Sequence, residues 1–184
     1  MSSGLEREIK LRFETPQAAR DAVAALGATL VRPRRLQADA LFDTADRALM
    51  LRQAVLRVRR DGDRSYITFK NPVPHPTLKV REEFETAVGD PAIVSAVFEQ
   101  LGLAIWFRYE KYREEFRLGD VIVAIDETPV GTFVEIEGSE HGITAVAASL
   151  GRGPSDYVLE SYRSLFVNHC VALGVEPTHM VFGA

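Results

Sequence analysis

The chain has a single cysteine, Cys170, among 184 residues. One cysteine excludes an intrachain disulfide, and no Cys-x-x-Cys or zinc-ribbon spacing can be drawn. Such usage fits a reducing compartment, and a cytoplasmic location is expected. Long apolar runs are missing as well. The longest nearly apolar stretch, Ala22 to Val31, contains Gly27 and Thr29 and falls far short of the ~20 residues of a bilayer span. The opening Met1-Ser2-Ser3-Gly4 leads straight into charge without an apolar signal core, so no membrane association is expected. A basic excess is also absent: 22 Lys plus Arg face 26 Asp plus Glu, for a net charge of −4. A surface that grips nucleic acid needs the opposite balance, and no nucleic-acid partner is expected. His75, His141, His169 and His179 show no metal-ligand spacing. What remains is ordinary for a folded domain, with 46% apolar and 26% charged residues. No linker or low-complexity tract divides it, so residues 1–184 read as one domain.

The pattern alternates between strands and capped helices. Leu5 to Phe13 has period two and reads as a strand. Thr15-Pro16 starts a helix that stops at Gly27. Residues 29–43 are extended, and Asp43-Thr44 can cap a short helix through Leu51. Val55–Arg60 and Arg64–Lys70 form a hairpin around Asp61-Gly62-Asp63. Asn71 to Thr77 holds three prolines and reads as a loop. Lys79 to Val88 alternates, Asp90-Pro91 opens a helix ending at Gly102, and a second hairpin joins Ile105–Leu118 to Val121–Asp126. Thr132 to Glu137 is another strand. Helices over 143–150 and 160–173 close the chain. Pro16 and Leu26-Gly27 recur 75 residues later as Pro91 and Leu101-Gly102, a weak internal echo.

The strands collect charge on one face, because side chains at i and i+2 point the same way. Glu6, Glu8, Lys10 and Arg12 share a face, opposite Leu5, Ile9, Leu11 and Phe13. Arg57 aligns with Arg59, and Thr68 with Lys70. Arg81, Glu83 and Glu85 form a third set; Lys111, Arg113 and Glu115 a fourth. Asp126 ends its strand, and Glu135 aligns with Glu137. The total is eight acids and eight bases. Two arrangements accommodate them. In one, a half-buried antiparallel sheet carries a solvated charged face. In the other, the sheet closes with its charges inward. A dry lumen of that kind would be unstable. A wet one suits a polyanion with a metal: Arg and Lys hold phosphate oxygens while carboxylates hold the metal bridging them.

These residues carry a family resemblance. Glu6-Arg-Glu8-Ile-Lys10 resembles the ExExK signature of the CYTH superfamily, the triphosphate tunnel metalloenzymes. Ala40-Leu-Phe-Asp43-Thr resembles its Tyr-Phe-Asp-Thr segment, with Leu41 where an aromatic is common. Leu56-Arg57-Val-Arg59, Thr68-Phe-Lys70, Arg81-Glu-Glu83 and Lys111-Tyr-Arg113 resemble its LRxR, TxK, RxE and KxR strands. Val123-Ala-Ile-Asp126 and Gly131-Thr-Phe-Val-Glu135-Ile-Glu137 follow in family order, and Glu160-Ser161-Tyr162 resembles its closing segment. The motifs span residues 5–166, and their layout is most similar to the class IV adenylyl-cyclase-like branch.

The resemblance implies an α+β fold: an eight-stranded antiparallel closed β-barrel, the triphosphate tunnel, with flanking helices. It implies Mg²⁺ or Mn²⁺ and a triphosphate-containing small molecule, namely ATP, tripolyphosphate or thiamine triphosphate. Glu6, Glu8, Glu135 and Glu137 lead the metal-ligand candidates, with Asp126, Glu83 and Glu85 assisting. Lys10, Arg57, Arg59, Lys70, Arg81, Lys111 and Arg113 are the substrate-binding candidates. Glu6, Glu8, Lys10 and Asp126 are the catalytic set. The expected reaction is cyclisation of ATP to cyclic AMP and pyrophosphate. The alternatives are hydrolysis of tripolyphosphate or thiamine triphosphate, and a non-catalytic polyphosphate-binding module. A homodimer is left open. Arg12 and Glu115 are read as structural, the latter paired with Arg117 or Arg113. Tyr162 either contacts substrate or packs. Trp106, Phe107 and Cys170 are read as packing residues.

Overall fold

The computed structural model describes residues 2–183. Eight antiparallel strands close into a barrel: β1 (Ser2–Phe13), β2 (Thr29–Asp43), β3 (Val55–Asp61), β4 (Arg64–Val73), β5 (Lys79–Ala87), β6 (Ala104–Leu118), β7 (Val121–Thr128) and β8 (Gly131–Glu137). Their order around the barrel is β1-β5-β4-β3-β2-β6-β7-β8. Five helices flank it: α1 (Pro16–Ala25), α2 (Ala48–Leu51), α3 (Pro91–Gln100), α4 (Glu140–Ser149) and α5 (Tyr162–Leu173). Among the described residues no helix is long and apolar enough to cross a membrane.

The apolar core lies outside the barrel wall. Ile9 and Leu11 of β1, Val123 and Ile125 of β7, and Val134 and Ile136 of β8 face outward. They meet Ala19 and Val23 of α1 and Ile143, Val146 and Ala147 of α4. Period two sends the alternate residues inward, so the same strands that build the core line the lumen with charge. A second cluster of Leu41, Phe107, Val130, Phe133, Tyr162 and Met180 anchors α5 and the C-terminal segment against one end.

The helix caps were legible. Thr15 and Asp90 accept backbone N–H groups at the starts of α1 and α3, each followed by Pro at the first helical position. Other bounds differ from the sequence reading. β4 runs on through Asn71-Pro72-Val73, where three residues pair with β5, so the proline-rich loop is shorter than expected. α4 begins at Glu140 and α5 at Tyr162, because Ser139 and Ser161 are the capping residues. α2 begins only at Ala48; the Asp43 carboxylate still accepts from the Leu49 and Met50 amides at 2.9 Å.

Two strand edges outrun their neighbours, and later segments complete them. β1 pairs with β5 only as far as Glu8, and beyond it Lys10 exchanges backbone hydrogen bonds with Val158 at 3.2 and 2.8 Å. β6 pairs with β7 only from Tyr112 onward, and before it Met180 bridges Tyr109, donating to the Arg108 carbonyl and accepting from the Glu110 amide. On its other side, β6 bulges: Leu41 pairs with Phe107 and Phe42 with Ile105, leaving Trp106 unpaired.

Candidate active site

The lumen is a cavity of about 950 Å³ running through the barrel. Its wall includes Glu6, Glu8, Lys10, Arg57, Arg59, Lys70, Arg81, Glu83, Glu85, Lys111, Arg113, Glu135 and Glu137. Every metal or substrate candidate drawn from the sequence is on that wall except Asp126. Asp126 is wholly buried behind it, accepting from Lys111 at 2.8 Å, from Arg113 at 2.7 and 2.6 Å and from the Tyr162 hydroxyl at 2.6 Å.

The charges interlock. Glu135 accepts from Arg113 and sits 3.3 Å from Lys10. Glu8 accepts from Lys10 at 2.9 Å and from Lys79. Across the lumen, Lys70 donates to Glu6 at 2.6 Å and lies 3.3 Å from Glu83. Glu85 accepts from Thr68 at 2.8 Å, with Arg57 at 3.5 Å. Arg59 grips Asp39 with two hydrogen bonds of 2.8 and 3.1 Å, and the Arg57 Nε lies 3.4 Å from the same carboxylate. Arg81, at the rim, donates to the Gln53 carbonyl at 2.9 Å. The Tyr162 ring forms the floor under two ammonium groups, 5.2 Å from Lys10 and 4.9 Å from Lys111.

Burial and pairing pull these groups apart electrostatically. Burial would raise the Glu8, Glu135 and Asp126 carboxyls, yet the adjacent Lys and Arg hold all three below the ordinary range. Burial would lower Lys10, but Glu8 and Glu135 keep it above the usual ammonium value. Lys111 is pushed down to about 8 by burial and Arg113, and Lys79 to about 8 by burial despite Glu8. Glu137 is pushed up to about 7 by burial and by Glu6.

Among the described residues no three carboxylate, His or Cys side chains already converge as a metal cage. The donor set nevertheless fits a hard divalent cation, because it offers carboxylate oxygen and no sulfur or imidazole. Glu137 is the telling residue. It faces Glu8 across the β1–β8 ladder, has no ion pair among the described residues, and is crowded by Glu6 and Glu8. A cation there would relieve the repulsion among Glu6, Glu8 and Glu137, which the charge of Lys70 offsets only in part.

The chain forms a closed antiparallel barrel with both signs of charge in its lumen, and comparison with known proteins decides its kinship. The CYTH domain family model matches residues 4–152. The chain belongs to the CYTH family. A Methanocaldococcus jannaschii protein provisionally named an adenylate cyclase is 27% identical over 136 residues, covering 73% of this chain and 77% of that one. The PH1012 protein of Pyrococcus horikoshii superposes with a TM-score of 0.74 at 26% identity, over 87% of this chain and 98% of its own. A provisionally named adenylate cyclase of Vibrio parahaemolyticus shares the fold with a TM-score of 0.77 at 18% identity, over 89% and 98%. HpAC1 of Hippeastrum, described as a provisional adenylyl cyclase with a dominant triphosphatase activity, shares it at 0.67 and 22%, over 89% and 96%. CYTH proteins are in general metal-dependent.

Several site residues escaped the sequence reading. Asp39 and Lys79 follow the same period-two alternation as their neighbours, so inward parity alone would have found them. Arg32 and Arg35 lie within the irregular stretch around Pro33, where parity is lost, and both reach Asp61 at the far end of the lumen, at 2.7 and 2.5 Å. Glu115 lines the cavity and pairs with Arg35 at 2.9 Å and Arg32 at 3.9 Å rather than with Arg113 or Arg117. Arg12 donates to the Val130 carbonyl at 3.2 Å and lies 4.7 Å from the Phe133 ring centre. Phe107 and Cys170 are packed away; Trp106, out of the ladder at the bulge, packs partly against the Phe107 cluster and also lines the cavity.

Proposed function

We propose that the chain is a metal-dependent enzyme whose lumen holds a triphosphate-bearing small molecule. The observation that carries this reading is the lumen itself: Lys10, Arg57, Arg59, Lys70, Lys111 and Arg113 converge on one cavity together with carboxylates. The bases would grip phosphate oxygens, the arginines with their planar forks. Each now leans on a carboxylate, so an arriving polyanion would exchange one set of charge-assisted bonds for another. Glu6, Glu8, Glu135 and Glu137 would hold Mg²⁺ or Mn²⁺, with Glu83 and Glu85 beside them. When bound, the cation would neutralise phosphate charge and acidify an adjacent hydroxyl or water. Asp126 would act from behind the wall, fixing Lys111 and Arg113 in place.

The preferred reaction is cyclisation of ATP: the ribose 3′-oxygen attacks the α-phosphorus, and pyrophosphate leaves into the cationic set. The names of the relatives support it. The second reading is hydrolysis, in which water attacks the terminal phosphorus; the activity described for the Hippeastrum protein favours it. The same wall serves both, and the choice rests on which phosphorus lies in line with the nucleophile. The test incubates purified protein with Mg²⁺ or Mn²⁺ and, separately, ATP, tripolyphosphate and thiamine triphosphate. Cyclic AMP with pyrophosphate establishes the cyclase. Orthophosphate without cyclic AMP establishes the hydrolase. Tight tripolyphosphate binding without any product refutes both and leaves a binding module.

A further inference from the structure

Three irregularities coincide at the end of the lumen where β2, β6 and α5 meet. The bulge takes Trp106 out of the β2–β6 ladder and sets it on the cavity wall. Arg47 and Gln53, flanking α2, are the two non-glycine residues with left-handed backbone among those described, at φ 61° and 59°. Side chains with a Cβ avoid that region, so the surrounding contacts must hold them there. The result is a cationic bracket. The Arg47 guanidinium carbon lies 5.2 Å, and that of Arg163 4.6 Å, from the centre of the Trp106 ring.

Neither guanidinium has a carboxylate partner among the described residues. The nearby Asp46 carboxylate accepts the Thr44 hydroxyl at 2.5 Å, and the exposed Glu160 makes no ion pair among the described residues. Deeper bases differ: Lys10, Lys70 and Arg59 each rest on an acid. Burial and the charge of Arg47 together depress Arg163, as expected for like charges held close without a counter-ion. Trp106 and Arg163 line the tunnel and Arg47 stands beside them, and two guanidiniums without acid partners among the described residues invite an anion.

We infer that Arg47, Arg163 and Trp106 form a subsite at the mouth for a phosphoryl group carried beyond the triphosphate. The chain then takes linear polyphosphates of four or more phosphates in preference to tripolyphosphate. This inference rests on the triphosphate reading of the lumen and deepens it.

Calorimetry on the full chain in EDTA, where no metal-dependent turnover consumes the probe, compares tripolyphosphate, tetrapolyphosphate and ATP. The wild type is expected to bind tetrapolyphosphate on the order of tenfold tighter than tripolyphosphate. Arg47→Gln and Arg163→Gln should each erase most of that gain while tripolyphosphate affinity stays within about twofold. Arg163→Lys should retain part of it, which a mere folding defect would not produce. Equal affinities in the wild type, or a gain that survives both Gln variants, overturns the subsite. ATP binding tighter than tripolyphosphate, with that advantage lost in Arg163→Gln, assigns the mouth to the nucleoside and overturns it too. Absence of tripolyphosphate binding both in EDTA and with Mg²⁺ or Mn²⁺ added instead removes the lumen reading, and the subsite with it.

Discussion

Removing the Asp39 carboxylate should weaken the empty protein and strengthen its grip on polyanions. Asp39 is 3% exposed and faces two guanidiniums, bound by Arg59 at 2.8 and 3.1 Å with the Arg57 Nε at 3.4 Å. The Arg57 Nε makes no hydrogen bond, so Arg59 is the stronger partner. Asp39→Ala leaves both cations in the wall with their main counter-ion gone. Breaking a buried pair by deleting one partner costs about 3–5 kcal/mol, and a lumen open to water puts the cost near 3. For a chain of this size that lowers Tm by roughly 6–12 °C. Tripolyphosphate would supply the missing negative charge, so the ligand-induced rise in Tm should be larger in the variant than in the wild type. The pH dependence carries the same sign. Burial would raise the Asp39 carboxyl, but Arg59 and Arg57 hold it below its ordinary value. Its contribution is therefore complete above about pH 4 and is lost as pH falls through the depressed folded value. The two proteins should converge in stability on acidification below about pH 4. Thermal melts with and without tripolyphosphate, repeated across pH, provide the assay. A loss under about 1 kcal/mol, or a smaller ligand shift in the variant, refutes the reasoning.

Other substitutions probe the rest of the site. Glu6→Ala and Glu135→Ala should each abolish metal-dependent turnover, and near-wild-type rates in both would sink the proposed site. Glu137→Gln removes one charge from a crowded acidic group; the metal-free protein should become more stable at pH 8, while the rise in Tm on adding Mg²⁺ should shrink, both read by melting. Tyr162→Phe keeps the floor under the ammonium groups but deletes a 2.6 Å bond to a buried carboxylate. A loss of about 1.5–3 kcal/mol in urea denaturation is expected, and no loss would mean that Asp126 does not need the hydroxyl. Met180→Ala, at a wholly buried position, should cost about 2–5 kcal/mol in the same assay.

The parts of this molecule that follow a local rule could be read from its sequence. Period two placed Glu6, Glu8 and Lys10 on one face and Ile9 and Leu11 on the other, and the structure keeps that division. Thr15-Pro16 and Asp90-Pro91 carry their own start signals. Barrel closure is not local: alternation permits an open sheet, and it was the ordered motifs that implied a lumen. Where the backbone departs from regular geometry, the reading failed. The shifts around Pro33 hid Arg32 and Arg35, and the bulge at Trp106 added a cavity-lining face to a side chain read only as packing. The identity of ion partners was also beyond reach, because Glu115 meets β2 across the ladder rather than its own strand.

The order in which the chain is made gives Val158 and Met180 a further consequence. β1 leaves the ribosome before the other barrel strands, yet part of its edge waits for Val158, and that of β6 waits for Met180. Until then the nascent barrel carries two stretches of unsatisfied backbone, the kind of edge that recruits strands from other chains. A message truncated after β8 would still encode all eight strands and most of the charged wall, but its product would be left with open seams. Such a product would be prone to self-association.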